Sequence, residues 1–428
     1  MHNRYSQSEQ HRRRAETLLM NGVGTMSKST RYICPGCCPS YVARAKGAYF
    51  WDVDGHRYID YPLALGPVVL GYAYDEVDEA VKRQMGNGFL YSLSSPLELD
   101  LAEILCQEIP GAEKVRFLKS GSEAMAAAVR VARAYTGREK VAVCGYHGWH
   151  DWTIARSSRN AGVPAGLKEL VFEFRYNDLA SLEAILAEHY GQIGALILEP
   201  VGMHAPEDSF LHRVAALAHK AGALLIFDEV ITGFRMHLGG AQAYFGVTPD
   251  LAGFGKAMAN GYPLAALVGK RAIIDAVQDQ IFVSSTYSGD LLSISAAIKT
   301  IEILRRDNVN AYILELGQKL KDGLNKIIGA LGLPFACQGM PHKTFLVFAD
   351  YGEVPAKMIE TVFRQESLRR GVFLGYGHFT SYSHTLDDLR QSLEVAAEVL
   401  DLIKRALETE SLPDMLRGGI CQDVFKRY

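Results

Sequence analysis

The chain has 428 residues, with 45 lysines and arginines against 48 aspartates and glutamates, so its formal net charge is −3. This near-neutral balance argues against a nucleic-acid partner, because affinity for a phosphate backbone requires a basic face. Hydrophobic residues make up 48% and charged residues 22%, which excludes a disordered chain, and the length predicts two or three domains because single cores stop growing near about 250–300 residues.

The N-terminal part is predicted to be a polar, helical lead-in followed by a hairpin. The lead-in covers Met1–Ser29, and no apolar stretch follows Arg12–Arg14, so we do not expect a signal peptide. Tyr41–Val42 and Ala48–Asp52 have the pattern of short strands, with Asp54-Gly55 as the turn.

From about Tyr74 to Leu304 short apolar segments alternate with amphipathic ones. The predicted helices are Leu97–Glu108, Ser120–Tyr135, Ser181–His189 and Phe210–Ala221, and the predicted strands are Val115–Leu118, Lys140–Cys144, Ile193–Leu198 and Ala223–Phe227. This alternation predicts parallel βαβ units and a sheet covered on both faces. No apolar run reaches the ~18–20 residues of a membrane span.

In the C-terminal third the pattern changes to two long amphipathic segments and one strand-like segment, which predicts a smaller α+β domain. One helix has its apolar face at Leu316, Leu320, Leu324 and Ile327; Thr344–Ala349 is a strand; and Leu386–Leu407 is a helix with Leu389, Leu393, Ala396, Leu400 and Ile403 inward. We therefore expect an N-terminal segment, 1–73, that packs with the small domain, a large α/β domain, 74–304, and a small C-terminal domain, 305–428.

Two polar motifs follow predicted strands. Ser120 and Glu123 have capping-box spacing at a helix start, where Gly121 and free backbone N–H groups can accommodate a phosphate. Asp228 lies at the end of a hydrophobic strand, where open α/β sheets bind ligands, and a protonated pyridine nitrogen would suit it as a cationic partner. Taken alone, the first motif is more typical of an ordinary helix cap, and the second is as compatible with a loop carboxylate as with a binding residue.

A lysine and an aromatic residue complete the pattern. Lys256 lies among glycines and apolar residues, an environment in which a lysine can act as an amine nucleophile toward a carbonyl. Tyr146, in the string GYHGW after a strand, can lie against a planar cofactor. Taken alone, Lys256 is more typical of a surface lysine, and Tyr146 of an aromatic residue at the edge of the core. Together, however, a phosphate-binding helix start, an aromatic ring, a carboxylate and a lysine are the set of groups that pyridoxal phosphate (PLP) requires.

The strings that carry these residues resemble those of the class III, fold type I, PLP-dependent aminotransferases, and in particular the glutamate-1-semialdehyde 2,1-aminomutase branch. They include FLKSGSEAMAAAVRVARAYTGREKV, GYHGWHD, YNDL, LILEPV, LLIFDEVITGFR, GVTPDLAGFGKAMANGYP and STYSGD. The match is dense from about Tyr49 to Ser295 and weaker beyond. It implies a fold type I enzyme, with a large mostly parallel sheet domain and a smaller α+β domain, that forms a homodimer with shared active sites.

The resemblance also implies roles for individual residues. Lys256 would form the Schiff base with PLP and move a proton, and Asp228 would pair with the pyridinium. The other cofactor contacts would be Gly121 and Ser122 at the phosphate, Val230 and Tyr146 on the two ring faces, Thr286 at the neighbouring subunit's phosphate, and Glu199 and Asn177 around the site. Arg31 and Trp149 are the candidate substrate contacts, and no metal is expected.

Two departures separate the chain from the aminomutase itself. Ala257-Met258-Ala259-Asn260 replaces a glycine-rich run after the lysine, and the stretch Gly375–Thr380 contains no acidic residue. We therefore expect a cytoplasmic aminotransferase that moves an amino group from a donor to a keto or aldehyde acceptor, either a sugar or a small acid, by ping-pong chemistry through the pyridoxamine form. The aminomutase is the alternative. A nucleotide-binding dehydrogenase is disfavoured because no GxGxxG follows the early strands.

The remaining cysteine and histidine motifs are not expected to be functional. Seven cysteines do not make a disulfide scaffold, and the CxxC at Cys34–Cys37, followed by Cys38, has no second ligand pair for zinc and opens no predicted helix. His147 and His150 with Asp151 are interpreted as supporting or surface residues rather than as metal ligands.

Overall fold

The structure, a computed structural model, describes residues 4–424, which form two compact units. The first unit contains residues 4–65, 70–74 and 311–424, and the second contains Gly66–Val69 and Asp75–Asn310. The domain boundaries predicted from the sequence stay predictions, and their outermost residues, 1–3 and 425–428, lie outside the described residues. Within 4–424 no helix is both long and apolar enough to cross a lipid bilayer.

Helices and strands alternate along most of the chain. The helices are α1 Ser6–Leu18, α2 Asp75–Gly86, α3 Pro96–Glu108, α4 Gly121–Thr136, α5 Asp151–Ile154, α6 Leu179–Glu188, α7 Phe210–Lys220, α8 Gly240–Phe245, α9 Arg271–Val277, α10 Leu291–Arg306, α11 Val309–Leu331, α12 Ala356–Arg369 and α13 Leu386–Glu408. The strands are β1 Val42–Lys46, β2 Tyr49–Asp52, β3 Arg57–Asp60, β4 Lys114–Leu118, β5 Lys140–Cys144, β6 Val171–Glu173, β7 Ile193–Leu198, β8 Leu224–Asp228, β9 Leu251–Phe254, β10 Ala265–Gly269, β11 Ala336–Met340, β12 Lys343–Val347 and β13 Val372–Phe373.

The second unit is built on a seven-stranded sheet with the order β4-β10-β9-β8-β7-β5-β6. Strand β10 is antiparallel to both of its neighbours, and all other pairs are parallel, so the other six strands point the same way. Every residue of β7 and β8 is buried, as expected for central strands covered by helices on both faces. The predicted α/β class is confirmed.

The predicted strands of this unit are close to those observed. Lys140–Cys144 and Ile193–Leu198 are confirmed at both ends, whereas the strand predicted as Ala223–Phe227 begins and ends one residue later. Asp228 is therefore the last residue of β8 rather than the first residue after it. Strand β10, which runs antiparallel to the other six strands, was not predicted from the sequence.

The first unit contains a four-stranded sheet, β1-β2-β3-β13, and a separate hairpin of β11 and β12. The single predicted hairpin is wrong in detail: three antiparallel strands are present, Tyr41 and Ala48 lie outside them, and the Asp54-Gly55 turn joins β2 to β3. Helices α11, α12 and α13 enclose one hydrophobic core. Of the residues predicted to face inward on α13, Leu389, Ala396, Leu400 and Ile403 are buried, and Leu393 is half-buried.

Candidate active site

Most of the predicted residues of the second unit lie at or just after the ends of β4, β5, β7, β8 and β9, whereas Asn177 follows β6 and Thr286 lies between α9 and α10. These five strands are parallel to one another, so their carboxyl ends share one edge of the sheet. This edge is where open α/β sheets bind ligands.

The start of α4 provides an anion site. Ser120 Oγ accepts a hydrogen bond from the Glu123 backbone N–H at 3.3 Å, and the Glu123 carboxylate accepts one from the Ser120 N–H at 2.8 Å. This is the capping box predicted from the sequence. The box does not use the N–H groups of Gly121 and Ser122, which stand at the positive end of a 16-residue helix.

Two glycines allow the neighbouring loops to approach this helix start. A Cβ on Gly121 would lie 2.8 Å from both Cγ atoms of Val230, and a Cβ on Gly148 would lie 2.3 Å from Ser122 Oγ. The Trp149 backbone N–H donates to the same hydroxyl at 3.4 Å, while the Trp149 side chain is exposed. Gly121, Ser122 and Val230 therefore lie together, as the predicted site requires.

Asp228 forms a buried pair with His147. Its Oδ2 lies 2.9 Å from His147 Nδ1, and the two residues are 6% and 1% exposed. The Val230 backbone N–H donates to Asp228 Oδ1 at 3.1 Å, and among the described residues His147 Nε2 has no hydrogen-bond partner. The sequence indicated a supporting or surface role for His147 but not its link to Asp228, because the two positions are 81 residues apart and share no local pattern.

Lys256 follows β9 on a short 3₁₀ turn, Lys256–Ala259, and is half-buried. Its φ of 44° is in the left-handed region, where a side chain other than glycine is strained. The ideal Cβ position of the preceding Gly255 lies 3.8 Å from Val230 Cγ1. Val230 is thus within contact distance of both the α4 start and the lysine turn, which brings the predicted lysine, carboxylate and phosphate positions to one site.

Glu199 holds the loop that carries Tyr146. The Tyr146 backbone N–H donates to Glu199 Oε1 at 3.0 Å, and Gly145, with φ +104°, has no room for a Cβ beside the same oxygen. Tyr146 itself is 47% exposed. Glu199 therefore acts on this loop through its backbone.

The remaining predicted residues are less closely tied to this site. The Asn177 side chain bonds the backbone of a loop, at 2.9 Å to the Ala205 carbonyl and 3.2 Å from the Glu207 N–H. Thr286 is exposed in the segment between α9 and α10, and Arg31 is exposed on a short turn of the first unit. Their roles stay predictions.

Together these groups have the chemistry to hold a planar ligand with an anion at one end and a cationic ring atom at the other. The α4 start suits the anion, the buried Asp228 carboxylate suits the ring cation, and the Lys256 amine can react with a carbonyl.

Comparison with known proteins supports this chemistry. The class-III aminotransferase family model matches residues 36–330. The 3-aminobutyryl-CoA aminotransferase of Cloacimonas acidaminovorans is 40% identical over 402 residues, covering 92% of this chain and 96% of that protein. The glutamate-1-semialdehyde 2,1-aminomutase of Methanothrix thermoacetophila is 36% identical over 411 residues, covering 89% and 93%.

A solved structure agrees with these relatives. The FumI protein of Sphingopyxis sp. MTA144, in its PLP internal aldimine form, superposes with a TM-score of 0.88 at 30% identity, covering 96% of this chain and 100% of that one. The predicted fold type I architecture is confirmed by this superposition. The chain therefore belongs to the class-III aminotransferase family.

Proposed function

We propose that this chain binds PLP and moves an amino group from an amino donor to a keto or aldehyde acceptor in two half-reactions. The observation that carries the proposal is the buried pair of Asp228 and His147 at the same strand edge as Lys256. A carboxylate with so little exposure requires a cationic partner, and a protonated pyridine nitrogen meets that requirement. When bound, PLP supplies an electron sink for charge that develops on the substrate carbon.

The residues present fit this cofactor. The α4 start, with Gly121 and Ser122, would bind the phosphate, and Val230 and Tyr146 would contact opposite faces of the ring. The closeness of Gly121 to Val230 supports this arrangement, because it makes the residue proposed to face the ring adjacent to the residue proposed to bind the phosphate. We propose that Thr286 reaches the phosphate held by a neighbouring subunit, that Glu199 and Asn177 support the loops around the site, and that the pyridoxamine form is the resting state between half-reactions.

Each catalytic side chain has a separate task in this scheme. The Lys256 amine holds the cofactor and, once displaced by the substrate amine, removes or returns a proton at the substrate carbon as a general base. The Asp228 carboxylate keeps the ring nitrogen protonated. His147 orients that carboxylate through the 2.9 Å contact, and the apolar Val230 side chain restricts water on its face of the ring.

The name of a 40% identical relative suggests a substrate class. We propose a donor with its amino group on the β carbon, carried on an acyl thioester such as 3-aminobutyryl-CoA, and a small keto acid as acceptor. Arg31 and Trp149 are the proposed substrate contacts, since a guanidinium suits a carboxylate and an exposed ring suits an extended chain. Sugars with a carbonyl group are the other class of acceptor to be assayed.

The alternative is the glutamate-1-semialdehyde aminomutase reaction, which a 36% identical relative favours. The absence of an acidic residue in the stretch Gly375–Thr380 argues for the two-substrate reaction. An aminomutase needs no external amino donor, so the two functions give different results with one substrate.

The test is to mix PLP-loaded protein with each candidate alone and follow the visible band of the bound cofactor and the products. We expect 3-aminobutyryl-CoA to bleach the band, and a keto acid added afterwards to restore it and to become an amino acid. Conversion of glutamate 1-semialdehyde to 5-aminolevulinate without any donor, together with no bleaching by any amine, would replace this proposal by the alternative.

We also propose that the protein is a homodimer with shared active sites. Light scattering on purified protein tests the assembly. Mixing Thr286→Val and Lys256→Ala subunits tests the sharing, because shared sites would make the activity of mixed dimers differ from the sum of the two parent variants.

A further inference from the structure

Cys34 and Cys37 are the first and last residues of a β-turn in the first unit. The Cys37 backbone N–H donates to the Cys34 carbonyl at 3.3 Å. Pro35 and Gly36 occupy the two central positions, and Gly36 has φ +77°, the combination typical of a type II turn. Such a turn holds its end Cα atoms within about 7 Å, and a disulfide needs about 4.4–6.8 Å, so the backbone already suits a bond between these two cysteines.

The thiols of this turn are packed together. Cys34, Cys37 and Cys38 are all buried, and all three are free cysteines. Cys37 Sγ lies 3.7 Å and Cys38 Sγ 3.0 Å from the Cys34 carbonyl oxygen. Within residues 4–424 no group of three or more cysteine, histidine or acidic side chains is arranged to hold a metal ion.

The electrostatics distinguish the two turn cysteines. A hydrogen bond from the Cys34 side chain lowers the pKa of Cys37, against the effect of burial, and the nearby Arg417 cation lowers it further. Burial, followed by the hydrogen bonds to the neighbouring cysteines, raises the pKa of Cys34. A thiolate is the nucleophile in disulfide exchange, so Cys37 is suited to attack first and Cys34 to resolve the product.

Residues 417–422, here called the C-terminal strap, lie across this turn. The Gly419 backbone N–H donates to the Pro35 carbonyl at 3.1 Å, and the Gln422 N–H donates to the Arg31 carbonyl at 3.1 Å. The ideal Cβ position of Gly418 lies 1.9 Å from the Pro35 carbonyl oxygen and 3.4 Å from Cys37 Sγ. The strap therefore packs so closely against the Pro35 carbonyl that only glycine fits at Gly418, and it lies beside the Cys37 sulfur.

We propose that Cys34 and Cys37 are a redox-active dithiol, separate from the aminotransferase chemistry, which reacts with small-molecule disulfides when the C-terminal strap lifts. The Cys37 thiolate attacks one sulfur of oxidised glutathione, forming a mixed disulfide and releasing one glutathione thiolate. The Cys34 thiol then attacks the Cys37 sulfur, closing the protein disulfide and releasing the second glutathione. The two protein thiol protons end on the two glutathione molecules, and two electrons pass from the protein to the oxidant.

The first experiment identifies the bond. Reduced full-length protein is treated with oxidised glutathione under native conditions, alkylated in denaturant and digested with trypsin. Cleavage after Arg31 and Arg44 places Cys34, Cys37 and Cys38 in one peptide. We expect that peptide to lose two hydrogens and to carry its single alkyl group on Cys38.

Variants give the order of the reaction. Cys38→Ser should still form the disulfide, Cys34→Ser should stop at a glutathione adduct on Cys37, and Cys37→Ser should form neither. Three alkylated cysteines in the wild-type peptide, or a bond that includes Cys38, would overturn the proposal.

The second experiment tests the strap with two adjacent glycines, neither of which has a positive φ. Gly418→Ala brings a methyl group into the Pro35 carbonyl, whereas Gly419→Ala gives only an ordinary contact, at 3.4 Å from Pro35 Cβ. We expect the disulfide to form at least about tenfold faster in Gly418→Ala than in the wild type, because the overpacked contact should displace the strap from Cys37. The rate in Gly419→Ala should equal that of the wild type. Equal rates in the two variants would refute the role of the strap while leaving the first experiment to decide on the dithiol.

Discussion

The contact between Gly121 and Val230 offers a direct test of the cofactor site. Gly121→Ala would place a methyl group 2.8 Å from both Cγ atoms of Val230. Carbon atoms pack at about 3.5–4.0 Å, so either Val230 or the start of α4 must move. In the proposed site both groups contact PLP, one at the ring and one at the phosphate, and displacement of either should weaken binding.

The size of the effect follows from the overlap. Overpacking of this kind costs about 1–3 kcal/mol, which is roughly a 5- to 150-fold increase in the Kd for PLP at about 1.4 kcal/mol per tenfold. Val230→Ala removes both clashing Cγ atoms. The double variant should therefore bind PLP more tightly than the product of the two single effects predicts, with a coupling energy of about 1 kcal/mol or more.

The assay is titration of each apoprotein with PLP, followed by the visible absorbance of the bound form. Gly166→Ala is the matched control, because no heavy atom lies within 4 Å of its ideal Cβ position and its φ is not positive. Gly166→Ala should bind PLP as the wild type does. Two results would refute this reasoning: strictly additive effects of the two substitutions on the free energy of PLP binding, or a Gly121→Ala protein that binds PLP with unchanged affinity. Either would mean that the packing of Val230 against Gly121 does not shape the cofactor site.

Three further predictions address single side chains. Lys256→Ala should lose the visible band and all turnover, whereas Lys270→Ala should keep both; residual turnover at the wild-type rate would remove the role given to Lys256. His147→Phe should lower kcat by about 10²-fold or more, because Asp228 loses its orienting partner, while His147→Gln should recover part of the loss; equal kcat in both variants and wild type would contradict this. Burial lowers the pKa of His378 from 6.5 to about 3, so the unfolded chain binds a proton that the folded chain does not. Between these values the wild type should lose up to about 1.4 kcal/mol of stability per pH unit as pH falls, and His378→Asn should lose less; parallel curves of Tm against pH would contradict the prediction.

Much of the second unit could be predicted because its signals are local. Strands such as Ile193–Leu198 are continuous apolar runs, and such runs indicate strands covered on both faces. The Ser120–Glu123 capping box is a four-residue pattern, and it begins α4 as expected. The alternation of strands and helices then places Asp228 and Lys256 at one edge of a parallel sheet without further information.

The rest could not be predicted because it depends on chain segments far apart in sequence. The contact of Asp228 with His147 forms only when β5 and β8 lie in one sheet. The sequence around each residue contains no pattern that indicates the other as its partner. Strand β10 is short and lies between β4 and β9, so its direction depends on the sheet order rather than on its own residues. The cover over Cys37 likewise comes from residues 417–422, some 380 positions away along the chain.

The proposed cofactor residues and Arg31 should differ in which constants their substitution changes. Gly121, Asp228 and Lys256, which carry the proposed cofactor chemistry, all belong to the second unit, whereas Arg31 belongs to the first. Cofactor chemistry is common to every substrate, so a change in the first three residues should reduce turnover with all of them. Arg31 is proposed to contact a substrate carboxylate, so Arg31→Gln should raise the KM for acceptors with a free carboxylate and leave the Kd for PLP unchanged. A parallel change in both constants would mean that Arg31 serves the cofactor site, and its proposed role as a substrate contact would fail.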